Sequence, residues 1–212
     1  MILTPLTDGE IPATLACFDA SLAPGPVRAV FQRLARPELA TRASGENELR
    51  NHQESIDLAV SFCMAIGPGS PRETDAVSWD GTALCHGTEA YVLVHEVAHF
   101  QLAAPARRHR VDFGHGPGPE TGDTARAIRA QTLFGLARDR EEAMASLLGV
   151  LWESDLGHPA LASLMDQNWF EGAGRPGAAA HFETIFAALL AGGFVTALGA
   201  PTRQLRSAPD PD

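Results

Sequence analysis

Tyr91-Val92-Leu93-Val94-His95-Glu96-Val97-Ala98-His99-Phe100 is the stretch on which the fold and chemistry of this chain turn. It is apolar apart from an H-E-x-x-H sequence, and on a helix the i, i+4 spacing puts both imidazoles on one face about one turn apart. His95 and His99 can then share one metal ion. Glu96 stands between them in apolar surroundings, where an unpaired carboxylate is costly unless a metal or a hydrogen-bond partner compensates it. Thr88 is placed to cap this helix, Glu89 suits the positive end of its dipole and Pro105 closes it, so the spacing predicts a helix over 89–104.

Two histidines leave a coordination sphere incomplete, and a catalytic centre needs a third protein ligand plus open positions. Leu102 stands where the longer H-E-x-x-H-x-x-G-x-x-H pattern requires glycine, which disfavours a metzincin. The carboxylate is expected downstream, in Arg140-Glu141-Glu142-Ala143-Met144-Ala145-Ser146, where small residues allow two helices to approach closely. Glu142 is the expected ligand, with Ser146 one turn on as its partner, and Glu141 is the substitute. A solvated charge run over 138–142 is the competing reading. Asp112 and His115 lie in a Gly- and Pro-rich stretch over 111–123 that reads as a functional loop able to fold over the site. His86, just before the motif helix, either hydrogen-bonds groups around the metal or satisfies a strand end. Arg107 and Arg108, in a basic knot, either clamp a carboxylate bidentately or form a solvated patch.

Working outward, residues 27–35 have helical spacing and 46–66 read either as a helix or as a loop feeding a strand over 58–64. Residues 76–79 and 82–85 around Asp80-Gly81 suggest a small hairpin. Residues 124–154 read as one long helix or two abutting ones, followed by helices over 161–170 and 178–190 separated by a Gly-rich segment over 172–177. The expected fold is α+β and predominantly helical, a zincin-like metal-binding helix pair with a small strand hairpin. It forms one enzyme domain over 1–206 with a fraying tail over 207–212.

Composition narrows the function. The 212 residues carry 16 basic against 26 acidic side chains, a net charge of −10, which disfavours nucleic acid and anionic lipid as partners. Every basic residue is arginine, so Schiff-base chemistry and the phosphate-binding lysine of a P-loop are both absent. Three widely spaced cysteines suggest neither a disulfide framework nor a thiolate zinc site. With no signal-peptide pattern and no membrane-length apolar run, a cytoplasmic location is expected.

From about Cys85 to Gly122 the sequence resembles the bacterial elongation factor P hydroxylase family. The resemblance rests on His86-Gly87, on H-E-x-x-H followed by Phe100, on Ala106-Arg107-Arg108-His109-Arg110-Val111-Asp112-Phe113-Gly114, and on Pro119-Glu120-Thr121-Gly122. After the D-F-G segment the family tends to have aromatic residues, where this chain has His115-Gly116-Pro117-Gly118, and the family's downstream carboxylate segment is loosely mirrored by Glu141-Glu142-Ala143-Met144. The resemblance implies a non-haem metal-dependent monooxygenase that hydroxylates a modified lysine on elongation factor P. His95, His99 and Glu142 would hold Fe(II), Glu96 would orient a ligand or move a proton, and the loop over 111–123 with Arg107 and Arg108 would help dock the protein substrate. The bare motif favours the alternative, a peptidase-type hydrolase with Zn(II) on the same ligands and Glu96 as general base. A structural metal in a binding module is the third reading, disfavoured because such sites usually close with four protein ligands.

Overall fold

The computed structural model describes residues 7, 9–119, 121–170 and 177–210. Among these, α4 (Ala90–Leu102), the helix of the metal motif, is the central element, and Val92, Leu93, Val94, Val97, Ala98 and Leu102 are all buried. It starts one residue later than expected. Thr88 does not cap it; its hydroxyl donates to Glu89 Oε2 instead. The helix ends where Ala103 turns extended, ahead of Pro105.

Opposite α4 lies α6 (Gly135–Leu156), the longest helix, and these two form the most extensive helix pair. Their approach is set by Gly149, where a Cβ would stand 3.3 Å from His95 Cα. Gly157, at φ 76° in the left-handed region, stops α6 with its N–H on the Glu153 and Ser154 carbonyls. The expected run over 124–154 is thus two helices, α5 (Thr124–Ala130), capped by the Asp123 carboxylate on Arg126 N, and α6. The break arises from a distant contact, since Thr132 and Leu133 N–H both donate to Gly114 O at 2.9 and 3.0 Å.

The open question over 46–66 resolves as helix α3 (Glu46–Ser61), which packs on α4, followed by strand β1 (Ala65–Gly67). β1 pairs in parallel with β2 (Ala83–Cys85), so the expected hairpin is corrected to a two-stranded parallel sheet among the described residues. Asp80 Oδ1 accepts from Thr82 N, Thr82 Oγ1 and Ala83 N, and this tight turn leaves the preceding segment one antiparallel bridge, Trp79 to Leu84. The other edge of β2 is then free for β1.

The remaining helices are α1 (Ile11–Ser21), α2 (Pro26–Leu34), α7 (Ala160–Asp166) and α8 (Ala178–Ala191). Phe18, Phe31, Phe170 and Phe182 interlock between them with mostly edge-to-face rings. The residues from 171 to 176, including most of the expected Gly-rich separator, and Glu120 lie outside the described residues. Toward the C-terminus, Gln101 on α4 donates to Thr202 O and Gln204 O, and Arg107 Nε donates to Asp210 Oδ2 at 2.6 Å. The segment expected to fray from 207 is therefore anchored as far as Asp210. Residues 211 and 212 lie outside the described residues. No described helix is long and apolar enough to cross a membrane. The fold is α+β and mainly helical.

Candidate metal centre

α4 and α6 bring His95, His99 and Glu142 to one place. The two imidazole Nε2 atoms lie 3.0 Å apart; Glu142 Oε1 is 3.3 Å from His95 Nε2 and Glu142 Oε2 is 3.5 Å from His99 Nε2. Ligands about 2.1 Å from one ion stand roughly 3.0 Å apart at a right angle and about 3.4 Å apart at a tetrahedral angle. The three donors therefore fit a single divalent ion. The donor set agrees with this, since neutral imidazoles beside an ionised carboxylate suit zinc and iron alike. Ala145 and Gly149, on the Glu142 face of α6, supply the close approach that lets so short a side chain reach across.

Burial tunes each group. For His99 it depresses the imidazole to about 4, against the pull of Glu142. For His95 burial also favours the neutral ring, but Glu142, Glu96 and Glu153 outweigh it and raise the ring above its ordinary value. Burial alone would raise Glu142, yet the two histidines hold it well below the usual carboxylate range. Glu96, next to His95 on α4, is pushed by burial up to about 8, with Asp112 and Glu142 adding to the effect and His95 and Ser78 opposing it.

The D-F-G segment builds the wall behind His99. Asp112 and Phe113 both sit in the left-handed region, at φ 43° and 52°, a conformation that costs energy for residues with side chains. Long-range contacts hold them there: Asp112 N donates to Trp79 O at 2.9 Å, and Asp112 accepts from Trp79 N and from Thr121 Oγ1. The result places the Phe113 ring between Trp79 and His99, stacked within 9° of the first and 16° of the second. Burial pushes the Asp112 carboxyl up to about 6.

A cavity of about 760 Å³ opens in front of these groups. His95, His99, Glu96, Glu142, Asp112 and His115, all expected at the site, line it. Comparison with protein-family models, with curated proteins and with solved structures finds no match.

Glu141 does not face the cavity. It is 7% exposed and accepts a two-point contact from Arg107 at 2.6 and 2.8 Å, a contact from Arg206 and one from His115 Nε2 at 2.9 Å. The bidentate clamp expected of Arg107 is made within the chain, by Nε and Nη2 on the two Asp210 oxygens at 2.6 and 3.1 Å, while Nη2 alone meets both Glu141 oxygens, so the buried guanidinium is not offered to a substrate. Arg108 is likewise spent on the main chain, donating to Phe100 O and Arg206 O, and takes no part in the cavity. His86 sits past the end of β2, with its carbonyl on His52 Nε2 and its ring edge-on to the His52 ring, and does not line the cavity. The Gly87 beside it lets the chain pass Gly69, where a Cβ would meet Gly69 O at 2.3 Å.

Ser146 does not touch Glu142. Its hydroxyl accepts from Trp169 Nε1 at 2.7 Å and donates to Gln167 Oε1, fixing the opposite cavity wall. Trp169 and His181, which the sequence analysis did not single out, stack within 23° and both line the cavity. Neither carries a motif that could have announced this.

Proposed function

We propose that the chain is a divalent-metal-dependent enzyme, and that its reaction is the hydroxylation of a protein-borne amino side chain. The observation that carries this is the convergence of two imidazoles and one carboxylate on one wall of an open acidic cavity, the arrangement that leaves adjacent coordination sites for dioxygen and substrate. The pairing of α4 with α6 around the donors supports a zincin-like helix pair. In this reading His95, His99 and Glu142 hold Fe(II), and the iron supplies dioxygen binding and its reduction with electrons from an external two-electron donor.

The residues of the chain do the rest. Phe113, backed by Trp79, fixes the plane of the His99 ring by stacking on it. Glu96, in the cavity wall beside His95, is placed to deliver or accept a proton there. Asp112, Asp139 and Asp166 join Glu142 around the cavity, with Arg138 the lone arginine among the described lining residues, so a cationic side chain is favoured over an anionic one. With the resemblance of the segment from Cys85 to Gly122, this supports elongation factor P as the protein substrate and the cytoplasm as the location.

The test is to load the full chain with Fe(II) and incubate it with elongation factor P from the same organism, dioxygen and a reductant. The expected result is a gain of about sixteen daltons, one inserted oxygen atom, that requires dioxygen. The second reading is a zinc hydrolase, favoured by the place of Glu96 in the cavity wall next to His95, where a peptidase keeps its general base. Full turnover of a peptide by the zinc-loaded chain without dioxygen, lost in Glu96→Gln with zinc still bound, would establish that reading and remove the first.

A further inference from the structure

We propose that the corner where α5 meets α6 is the docking surface for an acidic protein that presents one of its side chains to the metal cavity. This rests on the reading of a protein-borne substrate and adds the surface that holds it. Residues 126–140 carry Arg126, Arg129, Arg138 and Arg140 against one acid, Asp139, in a chain whose net charge is −10. Among them Ile128, Phe134 and Leu136 are 59%, 63% and 87% exposed.

The backbone holds these apolar side chains out in water. Gly114 O accepts Thr132 and Leu133 N–H, and the Gln131 side chain donates to Leu133 O at 3.0 Å, so the connector leading to Phe134 is pinned. Arg138 is held on His115 O and Arg126 reaches Asp80 O, but Arg129 and Arg140 are exposed and make no ion pair or hydrogen bond among the described residues. At 100° per residue, α6 sets Leu136 between Asp139 and Arg140 of the next turn. Asp139 lines the metal cavity, whereas Arg140 lines a second cavity of about 450 Å³ with Leu133, Met144 and Phe194 in its wall. Leu136 thus stands between two openings, and a protein seated on it has the metal cavity on one side and apolar room for an anchoring side chain on the other.

A fixed, exposed apolar cluster beside unpaired arginines fits a partner with an apolar patch edged by Asp or Glu. Arg107 and Arg108, expected to dock the substrate, are used inside the chain, whereas Arg129 and Arg140 remain open to it. The net charge of the whole chain opposes an anionic bilayer.

Binding of elongation factor P from the same organism to the zinc-loaded full chain, read by calorimetry, tests the surface, and its hydroxylation by the Fe(II)-loaded chain gives KM and kcat. Phe134→Ser with Leu136→Ser is expected to weaken binding and raise KM at least about 10-fold with kcat unchanged. Arg129→Glu with Arg140→Glu is expected to weaken binding about 10-fold at low salt and less at about 0.5 M salt, where the charges are screened. These four side chains are exposed, so both variants should keep the zinc affinity of the unaltered chain in chelator competition. Unchanged binding in either variant, or no binding by the unaltered chain, would overturn the surface. So would binding by the unaltered chain that salt does not weaken, whether or not the variants fold. Binding that the variants weaken, with no gain of mass on the partner, would keep the surface and remove the hydroxylase reading. A dimer of this chain that the variants dissociate in sedimentation, or uptake on phosphatidylglycerol vesicles that they abolish, would give the face to a second copy or to a membrane and overturn the proposal.

Discussion

Glu141 and Glu142 are neighbours in sequence and about 100° apart around α6, and that rotation gives them opposite surroundings. Glu142 faces the cavity with its side chain 48% exposed and touches His95 and His99; Glu141 faces inward against Arg107, Arg206 and His115. Glu142→Ala should therefore lower zinc affinity by at least about 100-fold and leave the denaturation midpoint of the metal-free chain nearly unchanged. Glu141→Ala should do something different, because it leaves the Arg107 guanidinium buried with only Asp210 to balance it. The expected cost is about 3–5 kcal/mol, the usual penalty for removing one partner of a buried pair, read from urea denaturation of the metal-free chain. Equal effects of the two substitutions on stability would contradict this division. From sequence, the preference for Glu142 followed from the small residues around it, but nothing local separated a cavity-facing carboxylate from an inward one. The partners of Glu141 come from positions 107, 115 and 206, on three separate segments.

At the scale of elements, the centre depends on how closely α4 and α6 approach. Gly149 stands over His95, and its missing side chain is what brings the Glu142 end of α6 within reach. Gly149→Val should separate the helices, costing about 1–3 kcal/mol through overpacking and weakening zinc binding, whereas Gly149→Ala, with its Cβ at 3.3 Å, should do so mildly. A Gly149→Val variant that keeps full zinc affinity would show that the spacing of these helices does not set the site. The elements that could be read from sequence were those whose own residues decide them: α2, α4 and α8 have apolar spacing with clear stops. The gap between α5 and α6 was not legible, because Gln131 to Phe134 contain no breaker and the interruption comes from Gly114 O accepting Thr132 and Leu133 N–H. The strands were too short for alternation to fix their pairing, and parallel pairing depended on α3 delivering β1 beside β2. The D-F-G segment was recognisable as distinctive, yet its role in stacking Phe113 on His99 follows from backbone angles that sequence spacing does not reveal.

Over the whole molecule, the net charge of −10 is gathered partly into the interior around the site, and Glu153 shows what that costs. It lies on α6, 2% exposed, with Arg42 Nη1 at 3.6 Å and with Asp166 and His95 acting on it from neighbouring elements. Burial raises its carboxyl from 4.5 to about 7, more than Ser163 and Arg42 pull it down. Below the unfolded value both states hold the proton, and the neutral group's contribution to stability is fully present. As pH rises from 4.5 to about 7 the unfolded chain releases the proton while the folded chain keeps it, so stability falls; above that, both are ionised and the loss is complete. The loss across this window is on the order of 3 kcal/mol. Glutamine cannot ionise, so Glu153→Gln should gain stability relative to the unaltered chain as the pH is raised from about 5 to about 8. Urea denaturation of the two metal-free chains at both values measures that gain directly, and because it is a difference of differences, any fixed cost of losing the Arg42 pair cancels. A difference that stays flat with pH would mean that Arg42 keeps Glu153 ionised throughout, and that the acidic interior is balanced by pairing rather than by protonation.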